Sequence, residues 1–119
     1  MAQLPLSGIV VVDISRVLAG PLGAMTLADM GADVIKVENP DGGDDTRRWG
    51  IPVAPGETSY YFSFNRNKRS LRLDLATAEG CEEARSLCTK ADVVIENFKL
   101  GGMENSAWVT INSRSLTRA

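Results

Sequence analysis

Four carboxylates sit at or just past short apolar runs: Asp13, Glu38, Asp74 and Glu96. Two basic groups accompany them, Arg47-Arg48 beside Trp49, and Asn65-Arg66-Asn67-Lys68-Arg69 with three cations in four residues. Fixed positive charge beside a flat ring suits phosphates and a stacked base, and clustered cations suit a multiply charged anion. The plainer alternatives are a solvated loop with a tucked-in tryptophan and a solubilising surface turn. The chain has no histidine. That excludes Ser-His-Asp and Cys-His catalysis, histidine metal ligands and the usual proton shuttle near neutral pH. A general base must then be Asp, Glu, Lys or Tyr.

The elements that would position these groups begin with a β-α-β unit. Ile9-Val10-Val11-Val12 and Val34-Ile35-Lys36-Val37 are uninterrupted rather than alternating, as expected of parallel strands covered on both faces. Between them Ala19-Gly20-Pro21 turns the chain, with Pro21 expected as the first helical residue. The helix body spans 22–30, with Thr26 and Asp29 on a narrow solvent side and Gly31 as the left-handed stop. A helix N-terminus at the carboxyl end of a parallel strand faces the crevice where such folds bind anions, which makes this the place to look for a ligand; the plainer alternative is that every α/β domain shares the geometry and many such turns hold nothing.

Residues 39–57 are rich in Pro, Gly and Asp and fit no element, a loop long enough to suggest function. The aromatic run Tyr60-Tyr61-Phe62-Ser63-Phe64 reads equally as a strand or a short buried helix. A strand with alternating leucines is expected at 70–75, with the basic turn at its mouth. Thr77 then caps an amphipathic helix carrying Cys81, Ala84, Cys88 and Ala91, and Asp92-Val93-Val94-Ile95-Glu96 makes a further strand. The order β-α-β, loop, β-α-β is that of a doubly wound parallel sheet cut off early.

The size of 119 residues, 44% hydrophobic and with net charge −2, bounds the chain to one small domain and indicates no polyanion partner. Cys81 and Cys88 stand two helical turns apart, roughly 10 Å by rise, too far to bridge, so reduced buried thiols and a cytoplasmic setting are expected. No run of about 18 apolar residues occurs, and the N-terminus has no export pattern. Glu38 stands where a nicotinamide-cofactor domain would hold its ribose. The first turn nevertheless has one glycine and lacks G-x-G-x-x-G, so a dinucleotide dehydrogenase is the weaker reading.

Five separated segments carry a more specific signal: Asp13-Ile14-Ser15-Arg16-Val17-Leu18-Ala19-Gly20-Pro21, Gly31-Ala32-Asp33-Val34-Ile35-Lys36-Val37-Glu38, Asp44-Asp45-Thr46-Arg47, Asn65-Arg66-Asn67-Lys68-Arg69-Ser70 and Ala91-Asp92-Val93-Val94-Ile95-Glu96-Asn97-Phe98. Together they resemble the N-terminal part of the family III CoA-transferases, the group of formyl-CoA transferase, carnitine CoA-transferase and α-methylacyl-CoA racemase. The resemblance implies an α/β, Rossmann-like parallel sheet, incomplete here, occupying 4–104. It implies CoA and acyl-CoA as substrates rather than tightly bound cofactors, and a homodimer, with no nucleic acid, membrane or metal partner. It places CoA contacts at Leu18 and Ala19, at Leu73, Asp74, Leu75 and Ala76, and at Asn97, Phe98 and Lys99. In two places the chain departs from the pattern: Leu18 replaces a glutamine, and Asn39 replaces an arginine that meets CoA.

Residues 105–119 form an acid-free, Ser/Thr/Arg-rich tail that resembles nothing in the family, as a frame-shifted or wrongly joined reading frame would. The family's nucleophilic aspartate, which forms an acyl-enzyme anhydride, is expected beyond the end of the chain, so no catalytic residue is assigned. Asp13 is expected to order its turn. A three-strand half-sheet would leave one face and one edge unburied. The expected activity is transfer of CoA between an acyl-CoA thioester and a carboxylic acid, with succinyl-CoA and a dicarboxylic acid suggested by the loop wording. The alternatives are a CoA-binding or interaction module without catalysis, and a fragment of an acyl-CoA racemase.

Overall fold

Residues 2–99 are described by the computed structural model, and the tail set apart above lies outside them. Four parallel strands form one sheet in the order β5-β2-β1-β6: β1 is Val10–Asp13, β2 Asp33–Glu38, β5 Lys68–Arg72 and β6 Val93–Ile95. The sheet holds the four strands that the order β-α-β, loop, β-α-β calls for, one more than a three-strand half-sheet. Helix α1, Ala19–Asp29, connects β1 to β2, and α3, Ala78–Thr89, connects β5 to β6.

Alternation along the central strands gives each face its own core. Val12, Ile14 and Val37 pack with Cys81, Ala84 and Cys88 of α3, while Val11 and Val34 pack with Ala24 and Ala28 of α1. The helices therefore cover opposite faces, which is why β1 and β2 are apolar at successive positions. On the α1 face the apolar character stops at the carboxyl end. There the inward positions become Asp13, Lys36 and Glu38, all buried.

Several boundaries differ from expectation. Helix α1 begins at Ala19 with Leu18 as N-cap, so Pro21 is its third residue rather than its first. Any of the first few positions suits proline, since their N–H groups have no helical acceptor. The helix buries Pro21, Ala24, Met25 and Ala28 but leaves Leu22 and Met30 exposed, a wider solvent side than Thr26 and Asp29 alone. Gly31, with φ +102°, supplies the left-handed stop. Strand β5 lies two residues earlier than its leucine alternation suggests. Lys68 and Arg69 belong to it, while Leu73 and Leu75 have left the sheet to pack on the α3 core.

Residues 39–57, expected to hold no element, contain three. A 3-10 turn at Asp45–Arg48 is capped by the Asp44 carboxylate, which accepts from the Thr46 N–H. Pro52–Ala54 (β3) then pairs antiparallel with Glu57–Thr58 (β4) around Pro55 and Gly56. The aromatic run resolves as a helix, α2, Ser59–Asn65, capped by Thr58 and packed on α1. The length of this stretch has a topological cause, because β2 and β5 are adjacent and parallel and cannot be joined by a tight turn.

Candidate functional site

The carboxyl ends of β1, β2 and β5 open into a crevice of about 510 Å³. Its apolar wall is Ile14, Val37, Leu73, Leu75 and Phe98, and its polar wall includes Arg16, Lys36, Asn39, Asp74 and Arg48. A second crevice of about 360 Å³ adjoins it, lined by Arg16, Val17, Leu18, Ala19, Asp45 and Asn97. Arg16 and Asp45 line both.

Beneath the crevices lies a buried ionic layer. Lys36, 1% exposed, places Nζ 2.9 Å from Asp44 Oδ2 and 3.9 Å from Asp13 Oδ2, and donates to the Ser15 carbonyl at 3.1 Å. Lys68 Nζ lies 2.9 Å from the same Asp13 oxygen, Oδ2, and donates also to the Pro21 carbonyl and to Asn65 Oδ1. Burial pushes the Lys68 ammonium below the usual lysine range, against the pull of Asp13. The Asp13 carboxylate accepts from the backbone N–H and hydroxyl of Ser15.

Glu38 is the second node. Burial raises the pKa of its carboxyl, but hydrogen bonds from Arg47, Ser70 and the Asp44 N–H outweigh this and bring it to about 2. Arg47 donates to both carboxylate oxygens at 2.8 Å and lies 3.8 Å from the centre of the Tyr61 ring, whose hydroxyl also donates to Glu38. Asp44 is likewise held below the usual carboxylate range. Burial opposes ionisation there, and the Thr46 N–H and the Lys36 ammonium overcome it. Its oxygens also accept from the Val17 N–H at 3.3 and 3.4 Å.

This layer answers several of the expectations drawn from the basic groups. The turn at 65–69 is neither a free clamp nor only a solubilising surface: Arg66 pairs with Asp29, Arg69 with Asp33, and Lys68 with Asp13. Arg47 is committed to Glu38, so neither is free for a phosphate or a ribose, and Trp49 stands edge-on to Tyr60 rather than over the crevice. Lys36 was not singled out in the sequence. A lysine inside a run of β-branched residues in a strand covered on both faces is the signal that would have found it.

Of the positions suggested by resemblance, Leu73, Asp74, Leu75, Ala76 and Phe98 line the larger crevice, and Leu18, Ala19 and Asn97 the smaller one. Lys99 is exposed and lines neither. Asn97 spends both ends of its amide on one residue, accepting from the Arg16 N–H at 2.9 Å and donating to the Arg16 carbonyl at 2.6 Å. Gly20 sits against Ser15 and Asn97, where a Cβ would find no room, so the start of α1, the end of β1 and the end of β6 converge. Among the described residues no set of three or more Cys, Asp or Glu side chains is grouped as a metal site, and no helix is long and apolar enough to cross a membrane.

A parallel sheet covered by helices on both faces, with its crevice at the strand ends, defines a Rossmann-like α/β architecture. The chain belongs to CoA-transferase family III, which it matches over residues 6–109. It is 60% identical to the succinate–glutarate CoA-transferase of Agrobacterium fabrum, over 83% of this chain and 26% of that protein. It is 46% identical to the human succinyl-CoA:glutarate CoA-transferase, over 82% of this chain and 22% of that one. A CaiB/BaiF family protein from Brucella suis superposes with TM-score 0.84 at 49% identity, covering 97% of this chain and 30% of the other. A hypothetical protein of Mycobacterium tuberculosis gives 0.80 at 38%, covering 94% and 30%. The chain thus spans about a quarter of the length of the curated relatives it matches.

Proposed function

We propose that this chain forms the CoA-binding part of a CoA-transferase that moves CoA between succinyl-CoA and a dicarboxylic acid. The carrying observation is its 60% identity to a succinate–glutarate CoA-transferase. The crevice is compatible with such a ligand. Apolar side chains of Val37, Leu73, Leu75 and Phe98 offer a wall for adenine, and Asp74 and Asn39 offer partners for ribose hydroxyls. CoA is on this reading a substrate that comes and goes, and the enzyme works as a homodimer in the cytoplasm.

The buried carboxylates at the site serve structure. Asp13, Glu38 and Asp44 each hold a cation and backbone or hydroxyl donors, which leaves none of them poised to attack a thioester. The chain by itself then binds CoA but does not transfer it. Incubating the purified chain with succinyl-CoA and glutarate, and following glutaryl-CoA by mass spectrometry, checks the second half. Turnover would place a working nucleophile in this chain. A thermal shift with CoA checks the first half, and no shift at millimolar CoA would count against binding. Light scattering and cell fractionation test the dimer and the compartment.

A further inference from the structure

The turn that leaves β1 is held more firmly than a connecting loop requires. Residue Val17 has φ +70°, a left-handed conformation that strains a β-branched side chain, and it is kept there with its N–H directed at buried Asp44. Its neighbour Arg16 is gripped on both sides by Asn97. The Arg16 guanidinium then lies over the Phe98 ring at 5.4 Å, at the junction of the two crevices.

What distinguishes Arg16 is the lack of a described carboxylate to pair with it. Of the three cations lining these crevices, Lys36 is committed to Asp44 and Arg48 to Asp45 at 2.9 Å. Among the described residues Arg16 has no carboxylate partner; its guanidinium meets only the face of Phe98. Asp45, the acid that shares both crevices with it, is taken by Arg48. An arginine side chain ordinarily resists being ordered, because ordering costs it rotamer freedom. Here the fixed backbone and the ring beneath reduce that cost before any ligand arrives.

We propose that Arg16 is an oxyanion-binding side chain of this site, aimed by the braced turn from 15 to 18. Its planar fork suits a phosphate or a carboxylate bidentately. The inference rests on the CoA-transferase reading for the source of the anion, either a CoA phosphate or the carboxylate of a dicarboxylic acid, and on the geometry alone for the site.

The test is calorimetric titration of the full chain and its Arg16→Gln, Arg16→Lys and Arg66→Gln variants with CoA, inorganic pyrophosphate and glutarate. Arg66 pairs with Asp29 away from the crevices and controls for loss of surface charge. Arg16→Gln is expected to weaken CoA binding about tenfold or more, Arg16→Lys less, and Arg66→Gln not at all. Competition by pyrophosphate or by glutarate, lost in Arg16→Gln, identifies the phosphate or the carboxylate as source. Arg16 is exposed, so a common melting curve is expected; should Arg16→Gln melt early, Arg16→Lys carries the comparison. Unchanged CoA affinity in both variants overturns the proposal and leaves CoA binding intact. Binding of pyrophosphate or glutarate through Arg16 without binding of CoA would do the reverse. No binding of any of the three by the parent chain overturns both.

Discussion

Glu38 is a carboxylate whose surroundings have already decided its charge. Its pKa lies at about 2 against an ordinary 4.5, so the folded chain releases this proton more readily than the unfolded one. The resulting stability is present in full above pH 4.5 and is lost as the pH falls towards 2. Denaturant titrations across that window should show a loss on the order of 3 kcal/mol, absent from Glu38→Gln. The Lys36–Asp44 pair makes a sharper case because both side chains are 1% exposed. Asp44→Ala leaves the buried Lys36 ammonium only the more distant Asp13, already held by Lys68, and a cost of about 3 kcal/mol is expected by chemical denaturation. A Lys36→Met, Asp44→Ala double variant should recover part of it. That recovery would separate the unpaired charge from the lost cap of the 3-10 turn.

At the scale of elements, α3 approaches the turn after β5 so closely that a side chain at Gly80 would enter the Asp74 backbone. Gly80→Ala must push the 74–76 segment outward, and this segment lines the larger crevice. The expected cost is about 1–3 kcal/mol, read as an earlier thermal midpoint, together with weaker CoA binding. Gly23→Ala, in α1 with open space where a Cβ would go, is the control that should leave both unchanged or slightly improved. The connection between β2 and β5 teaches a related point. Its short 3-10 turn and helix are capped by Asp44 and Thr58, and bonds from Arg47 to the Gly56 carbonyl and from Thr58 to the Thr46 carbonyl, 9 and 12 positions apart, tie the pieces together, and no hydrophobic periodicity announces them.

At the scale of the whole molecule, the described sheet ends in two strands with a neighbour on one side only, β5 and β6. Leu71 and Val93 on these edges are 39% exposed, as are larger shares of Ile51, Val53 and Phe62. Such edges pair with further strands. The chain is expected to associate with rising concentration. Leu71→Lys and Val93→Lys should reduce the apparent mass by light scattering, whereas unchanged mass would place the contact elsewhere.

The sequence by itself determined the class of fold, because β-branched runs, a Gly31 stop and a Thr77 cap are local statements about backbone preference and burial. It also determined the family, since its five signatures keep their order along the chain. Which charges are free was decided only by tertiary structure. Arg47, Lys68 and Arg16 all read simply as cations in the sequence, but the fold brings Glu38 to the first, Asp13 to the second and no described carboxylate to the third. Partnership between ions depends on separations of a few ångströms between residues up to 55 positions apart, and hydrophobic spacing carries no record of those distances.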